Sequence, residues 1–146
     1  MKKQIMNLFL AVIFTLVISS GFSAMAQTGS TDRENPEPIM SRTVTASVSR
    51  PMGEGEDVFY SIEAKEGGMT VDLTAIARDG MNFSVFIEGN EVYESMGMIS
   101  GGNDTMKDSV TFKVRSRQTL LITVRYAGNA RYTIKFKGSA LTTMGK

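Results

Sequence analysis

The residues of this chain that could do chemistry are cations, carboxylates and aromatics set at alternate positions. Lys113 and Arg115 flank Val114, Arg125 follows Val124, and Arg131 and Lys135 bracket Tyr132-Thr133-Ile134. In an extended strand this spacing turns the charges away from the apolar side chains. Gly89-Asn90 reads as a two-residue hairpin turn, which sets Glu88 opposite Glu91 and Phe86 opposite Tyr93. Ala127-Gly128-Asn129 reads as a three-residue hairpin loop. It sets Arg125 opposite Arg131 and matches Val124 with Tyr132, Ile122 with Ile134, and Leu120 with Phe136. Like charges placed opposite each other destabilise a ladder by several tenths of a kcal/mol, which an anionic ligand would offset. Arg125, Arg131, Lys135, Lys113 and Arg115 are therefore the candidate ligand-binding platform, with Arg117 and Lys137 of the same parity. Two readings stand: a site for a polyanion, acidic glycan or acidic protein surface, or a solvated face paired with the acidic half of the chain. Phe86 and Tyr93 form a candidate stacking pair on an open sheet face. Glu88 and Glu91 are weak calcium candidates, since two carboxylates need further oxygen ligands. They could instead meet the arginine pair of a neighbouring molecule.

Other chemistry is excluded by composition. The chain has no histidine and no cysteine. Ser-His-Asp and Cys-His nucleophiles, His or Cys zinc sites, disulfides and redox pairs are thus ruled out. Met96-Gly97-Met98 has the form of a soft copper site, but methionine as adaptable core filler is the better account. The glycine-rich stretch Gly97–Asp104 lacks the lysine and hydroxyl of a phosphate loop. The expectation is a non-enzymatic protein with no cofactor.

The charges are segregated along the chain. Residues 27–104 carry five cations and 14 carboxylates, whereas residues 105–146 carry nine cations and one carboxylate. The near-neutral total argues against nucleic-acid binding driven by net charge, but not against a strongly charged face.

The elements that position these residues follow from hydropathy. Lys2-Lys3, an apolar run from Met6 to Ile18 and Ala24-Met25-Ala26 form the three parts of a secretory signal peptide, with cleavage expected after Ala26. The run is short of the about 20 residues a membrane span needs. The mature chain is then expected to be periplasmic or secreted, in a bacterial setting, with no membrane span. Residues 27–41 are polar, contain Pro36 and Pro38, and read as a flexible leader. Residues 42–138 alternate apolar and polar positions in about eight short strands: 43–49, 57–64, 69–75, 82–88, 91–95, 109–115, 119–126 and 131–137. That pattern predicts an all-β fold, an antiparallel β-sandwich of jelly-roll type. Residues 139–146 read as a C-terminal tail.

Asp57-Val58-Phe59-Tyr60-Ser61-Ile62, Gly67-Gly68-Met69-Thr70-Val71-Asp72-Leu73, Phe83-Ser84-Val85-Phe86-Ile87-Glu88-Gly89-Asn90, Leu121–Tyr126 and Ala130–Ile134 together resemble the bacterial pre-peptidase C-terminal domain family. The resemblance covers about two-thirds of the mature chain. It implies a jelly-roll-like sandwich serving as a non-catalytic accessory or binding module, here without a peptidase. The acidic start common in that family's central strand is absent at Met81-Asn82-Phe83, so a calcium role is not carried over. The functional expectation is an exported module that recognises a protein or polysaccharide partner. A self-associating component of the bacterial envelope, and hence a homo-oligomer, is the alternative.

Overall fold

The computed structural model describes residues 27–49, 55–77, 83–97 and 105–142. The expected signal peptide, Met98 and the loop through Asp104 lie outside the described residues.

Nine strands are present among the described residues: β1 (Glu37–Pro38), β2 (Thr43–Val48), β3 (Gly55–Ala64), β4 (Gly67–Ala77), β5 (Phe83–Glu88), β6 (Tyr93–Met96), β7 (Thr105–Val114), β8 (Gln118–Ala127) and β9 (Ala130–Lys137). They form a five-stranded sheet, β1-β3-β8-β5-β6, and a four-stranded sheet, β2-β9-β4-β7. Each strand contributes one apolar face. Tyr60, Ile62, Ile87 and Ile122 from the first sheet, with Leu73 and Ile134 from the second, belong to one buried cluster. The protein is a β-sandwich, as its alternation predicts.

The strand order is that of a jelly roll. β2 pairs with β9, β3 with β8, β4 with β7 and β5 with β6, all antiparallel. Those pairs are nested, as if one long hairpin had been rolled up. The roll closes where β4 also pairs with β9, and β5 with β8.

This topology corrects the predicted β8–β9 hairpin. The two strands do not pair; they lie in opposite sheets, and Ala127-Gly128-Asn129 crosses between them with Gly128 at φ 79°. Val124, Ile122, Tyr132 and Ile134 still share the core. They belong to facing layers rather than to one ladder, so Arg125 and Arg131 are not neighbours. Two strands with matching apolar parity can pair edge to edge or pack face to face, and alternation alone does not distinguish the two.

The β5–β6 register is also corrected, by two residues. Glu88 pairs with Tyr93 and Phe86 with Ser95. The loop is Gly89–Val92, closed by the Gly89 N–H donating to the Val92 carbonyl at 2.8 Å. Val92 leaves the ladder to fill the core, and the Asn90 N–H donates to the Gln118 side-chain oxygen at 2.7 Å. A side chain at Gly89 would collide with Gln118 and Leu120, which ties this tight approach to glycine.

Residues 27–41 are not a free leader. β1 pairs in parallel with β3, the Ile39 N–H donates to the Ser61 carbonyl at 2.8 Å, and Ile39 is buried. The Gln27 amide donates to the Glu37 carboxylate and the Pro38 carbonyl. The segment covers what would otherwise be an open edge of β3. The described part of the expected tail is packed as well: Ala140 and Leu141 are buried, and the Lys65 N–H donates to the Ala140 carbonyl.

Candidate binding faces

The outer face of the four-stranded sheet is built from the polar positions of β2, β9, β4 and β7. Read across the register, one row is Thr43, Lys135, Asp72 and Ser109; the next is Thr45, Thr133, Thr74 and Lys107; the next is Ser47, Arg131, Ile76 and Thr105. Lys137, Thr70 and Thr111 form a row on the other side, beyond which Lys113 stands opposite Gly68. Five cations thus share a sheet face with one carboxylate among the described residues. Hydroxyls fill most of the remaining positions, and some are bonded to each other: Thr45 to Thr133 at 3.2 Å and Thr70 to Thr111 at 2.9 Å.

Asp72 is already engaged. Lys137 and the Ser109 hydroxyl both donate to it, and these bonds, the lysine's first, hold its carboxyl below the usual value. Lys135 lies directly across the ladder and adds to that effect. Among the described residues no carboxylate pairs with Lys107, Lys113, Arg131 or Lys135. Asp108 has the parity of the core-facing positions and accepts the Gly97 N–H.

The predicted platform is therefore divided. Arg131, Lys135 and Lys113 stand together on this face. Arg125 stands on the outer face of the opposite sheet, where it forms a two-pronged bond to Asp57 at 2.8 Å for each prong, which raises its pKa. Arg115 sits just beyond β7, strongly exposed, and meets Glu91 at 3.4 Å. Lys107 was not among the predicted site residues, because the sequence reading starts its strand at Ser109, four residues after its true start at Thr105. Met106, in phase with Val110 and Phe112, was the available signal, interrupted by the polar Asp108.

The five-stranded sheet presents a different outer surface. Phe59, Thr123, Phe86 and Ser95 form one row across it. The Arg125 guanidinium lies 5.4 Å from the Phe86 ring centre, and Arg33 lies 6.0 Å from that of Phe59. Phe86 is partly buried beneath its arginine, whereas Tyr93 remains 66% exposed. These two do not form the predicted cross-strand pair. The two weak calcium candidates do not stand opposite each other in the ladder: Glu88 bonds Arg33 at 2.7 Å, and Glu91, in the loop, meets Arg115. Each carboxylate has its own cation, and no group of three or more His, Cys, Asp or Glu that could hold a metal occurs among the described residues.

No helix among the described residues is long and apolar enough to cross a membrane. The chain matches no known family model and no curated protein.

Proposed function

We propose that this protein is an exported, non-catalytic binding module that engages an anionic partner through the outer face of its four-stranded sheet. The observation carrying this reading is the concentration of Lys107, Lys113, Arg131, Lys135 and Lys137 around a single, already bonded carboxylate. From Arg131 to Lys137 the cations of β9 extend over about 20 Å at about 3.3 Å per residue. Such a field attracts an extended polyanion and weakens with salt. The absence of histidine and cysteine and the secretory form of residues 1–26 support an accessory role outside the cytoplasm. So does the resemblance to pre-peptidase C-terminal domains, whose jelly-roll form this strand order fits.

The test is retention on immobilised heparin across a salt gradient. Arg131→Glu with Lys135→Glu is expected to abolish retention at physiological salt, while Arg125→Glu, on the opposite sheet, leaves it within about twofold. Equal loss in both variants, or unchanged retention in the first, contradicts the proposal.

A further inference from the structure

One end of the basic face is concave. Among the described residues, a hollow of about 270 Å³ is lined by Ser47, Ser49, Ile76, Asn129 and Arg131, with Val48 and Ala130. Arg131 Nε donates to Ser47 Oγ at 3.3 Å, which orients the guanidinium and leaves its two terminal nitrogens without an acceptor among the described residues. Ser49 Oγ donates to Asn129 Oδ1, so the Asn129 Nδ2 hydrogens also have no acceptor among the described residues. Ser47 Oγ accepts from Arg131 and retains its own hydrogen as a donor. Among the described residues the lining holds no carboxylate.

From this geometry we infer that the hollow is an anchoring subsite for one oxyanion substituent, a sulfate ester or carboxylate, carried on a linear polysaccharide. The inference rests on the basic-face reading above and names its ligand. A planar guanidinium with a free edge matches an oxyanion in a two-pronged manner that an ammonium does not. The volume suits a single substituent rather than a whole sugar chain. Ile76 supplies an apolar patch beside it for the C–H face of a sugar ring, while Lys135 and Lys107 lie further along the face for successive charges. The partner class follows from what the face lacks. Among the described residues, Ile76 is the one large apolar side chain at the outward positions of this sheet, and aromatics are absent from those positions. Protein interfaces draw on aromatic and apolar anchors, and single-stranded nucleic acids on stacking rings. A hydroxyl-rich, cationic sheet offers neither, but it matches the polar periphery of an acidic glycan.

The experiment measures the affinity of the mature protein for heparin, polygalacturonate, neutral dextran and poly-glutamate at one salt concentration. It compares the wild type with Arg131→Lys, Asn129→Asp and, on the opposite sheet, Arg125→Gln, each verified as folded by its thermal transition. Arg131→Lys keeps the charge and removes the fork. The subsite predicts at least a fivefold loss for Arg131→Lys and for Asn129→Asp on whichever acidic polysaccharide binds, less than a twofold loss for Arg125→Gln, and no binding to dextran. Preference for heparin or for polygalacturonate identifies the oxyanion. Wild-type affinity in Arg131→Lys overturns the subsite and leaves the charged face standing. Poly-glutamate binding as tight as the polysaccharides overturns the ligand class. No wild-type binding to any polyanion overturns the charged face itself.

Discussion

Two phenol hydroxyls lie inside this core. Tyr60 Oη donates to the Gln27 carbonyl at 3.1 Å, so the 2.7 Å contact between the two phenols has Tyr132 as donor. The consequences of removing each are unequal. Tyr60→Phe leaves the buried Tyr132 hydroxyl and the Gln27 carbonyl without partners and is expected to cost about 1–3 kcal/mol. Tyr132→Phe leaves the Tyr60 donor satisfied and is expected to cost no more than about 1 kcal/mol. Denaturant unfolding of the two variants checks this order. Burial pushes the Tyr60 phenol up to about 12 from 10.0 and raises Tyr132 further. Folding thus favours the neutral phenols. The stability they carry is intact below about pH 10 and is lost as pH rises toward 12. An absorbance titration should show these tyrosines ionising only together with unfolding; ionisation near 10 in the folded protein would contradict the assignment. At the same scale, calcium is expected to leave the thermal midpoint unchanged, and replacing Glu88 and Glu91 by alanine should cost no more than about 1 kcal/mol each, the usual worth of exposed ion pairs.

Individual elements show what was legible in the sequence and what was not. Strand positions and inward parity followed from alternation, because one buried face per sheet imposes period two. Partners did not. Val124 and Tyr132 are both core residues, yet they belong to opposite layers, and nothing local distinguishes that from a hairpin. The Gly89-Asn90 turn signal was real, but Val92 gains more from the core than from the ladder, which lengthens the loop and shifts the pairing by two. Residues 27–41 have no apolar period because their strand is only Glu37–Pro38, and one side chain, Ile39, anchors it. Deleting residues 27–41 is therefore expected to destabilise the sandwich by about 2–4 kcal/mol, from the loss of Ile39 burial and the uncovering of Phe59. A free leader would be removed at no cost. At the end of β9, Gly138 has φ 121° and a Cβ there would overlap the Gly68 carbonyl. Gly138→Ala should lower stability by about 1–3 kcal/mol or more, measured by thermal unfolding.

On the scale of the whole molecule, the segregation of charge along the chain becomes a difference between faces. The basic C-terminal third supplies β7 and β9, neighbours of β4 in the four-stranded sheet, while β8 carries Arg125 into the other sheet. There the acidic half neutralises it: Asp57 lies beside it in β3, and Glu88 on the same surface bonds Arg33. One surface is thus internally paired and the other keeps its excess of cations. Sequence parity identified the outward cations of β8 and β9 but missed Lys107 in the first half of β7, and only the rolled topology determines which of them share a surface. The most direct test is residue-resolved: chemical-shift mapping of the backbone amides of the mature protein as heparin is titrated in at low salt. The account predicts that the shifts concentrate on β2, β9, β4 and β7, largest around Arg131 and Lys135, and collapse as salt is raised. Shifts centred instead on β3, β8 and β5 around Arg125, Phe86 and Tyr93 would contradict it.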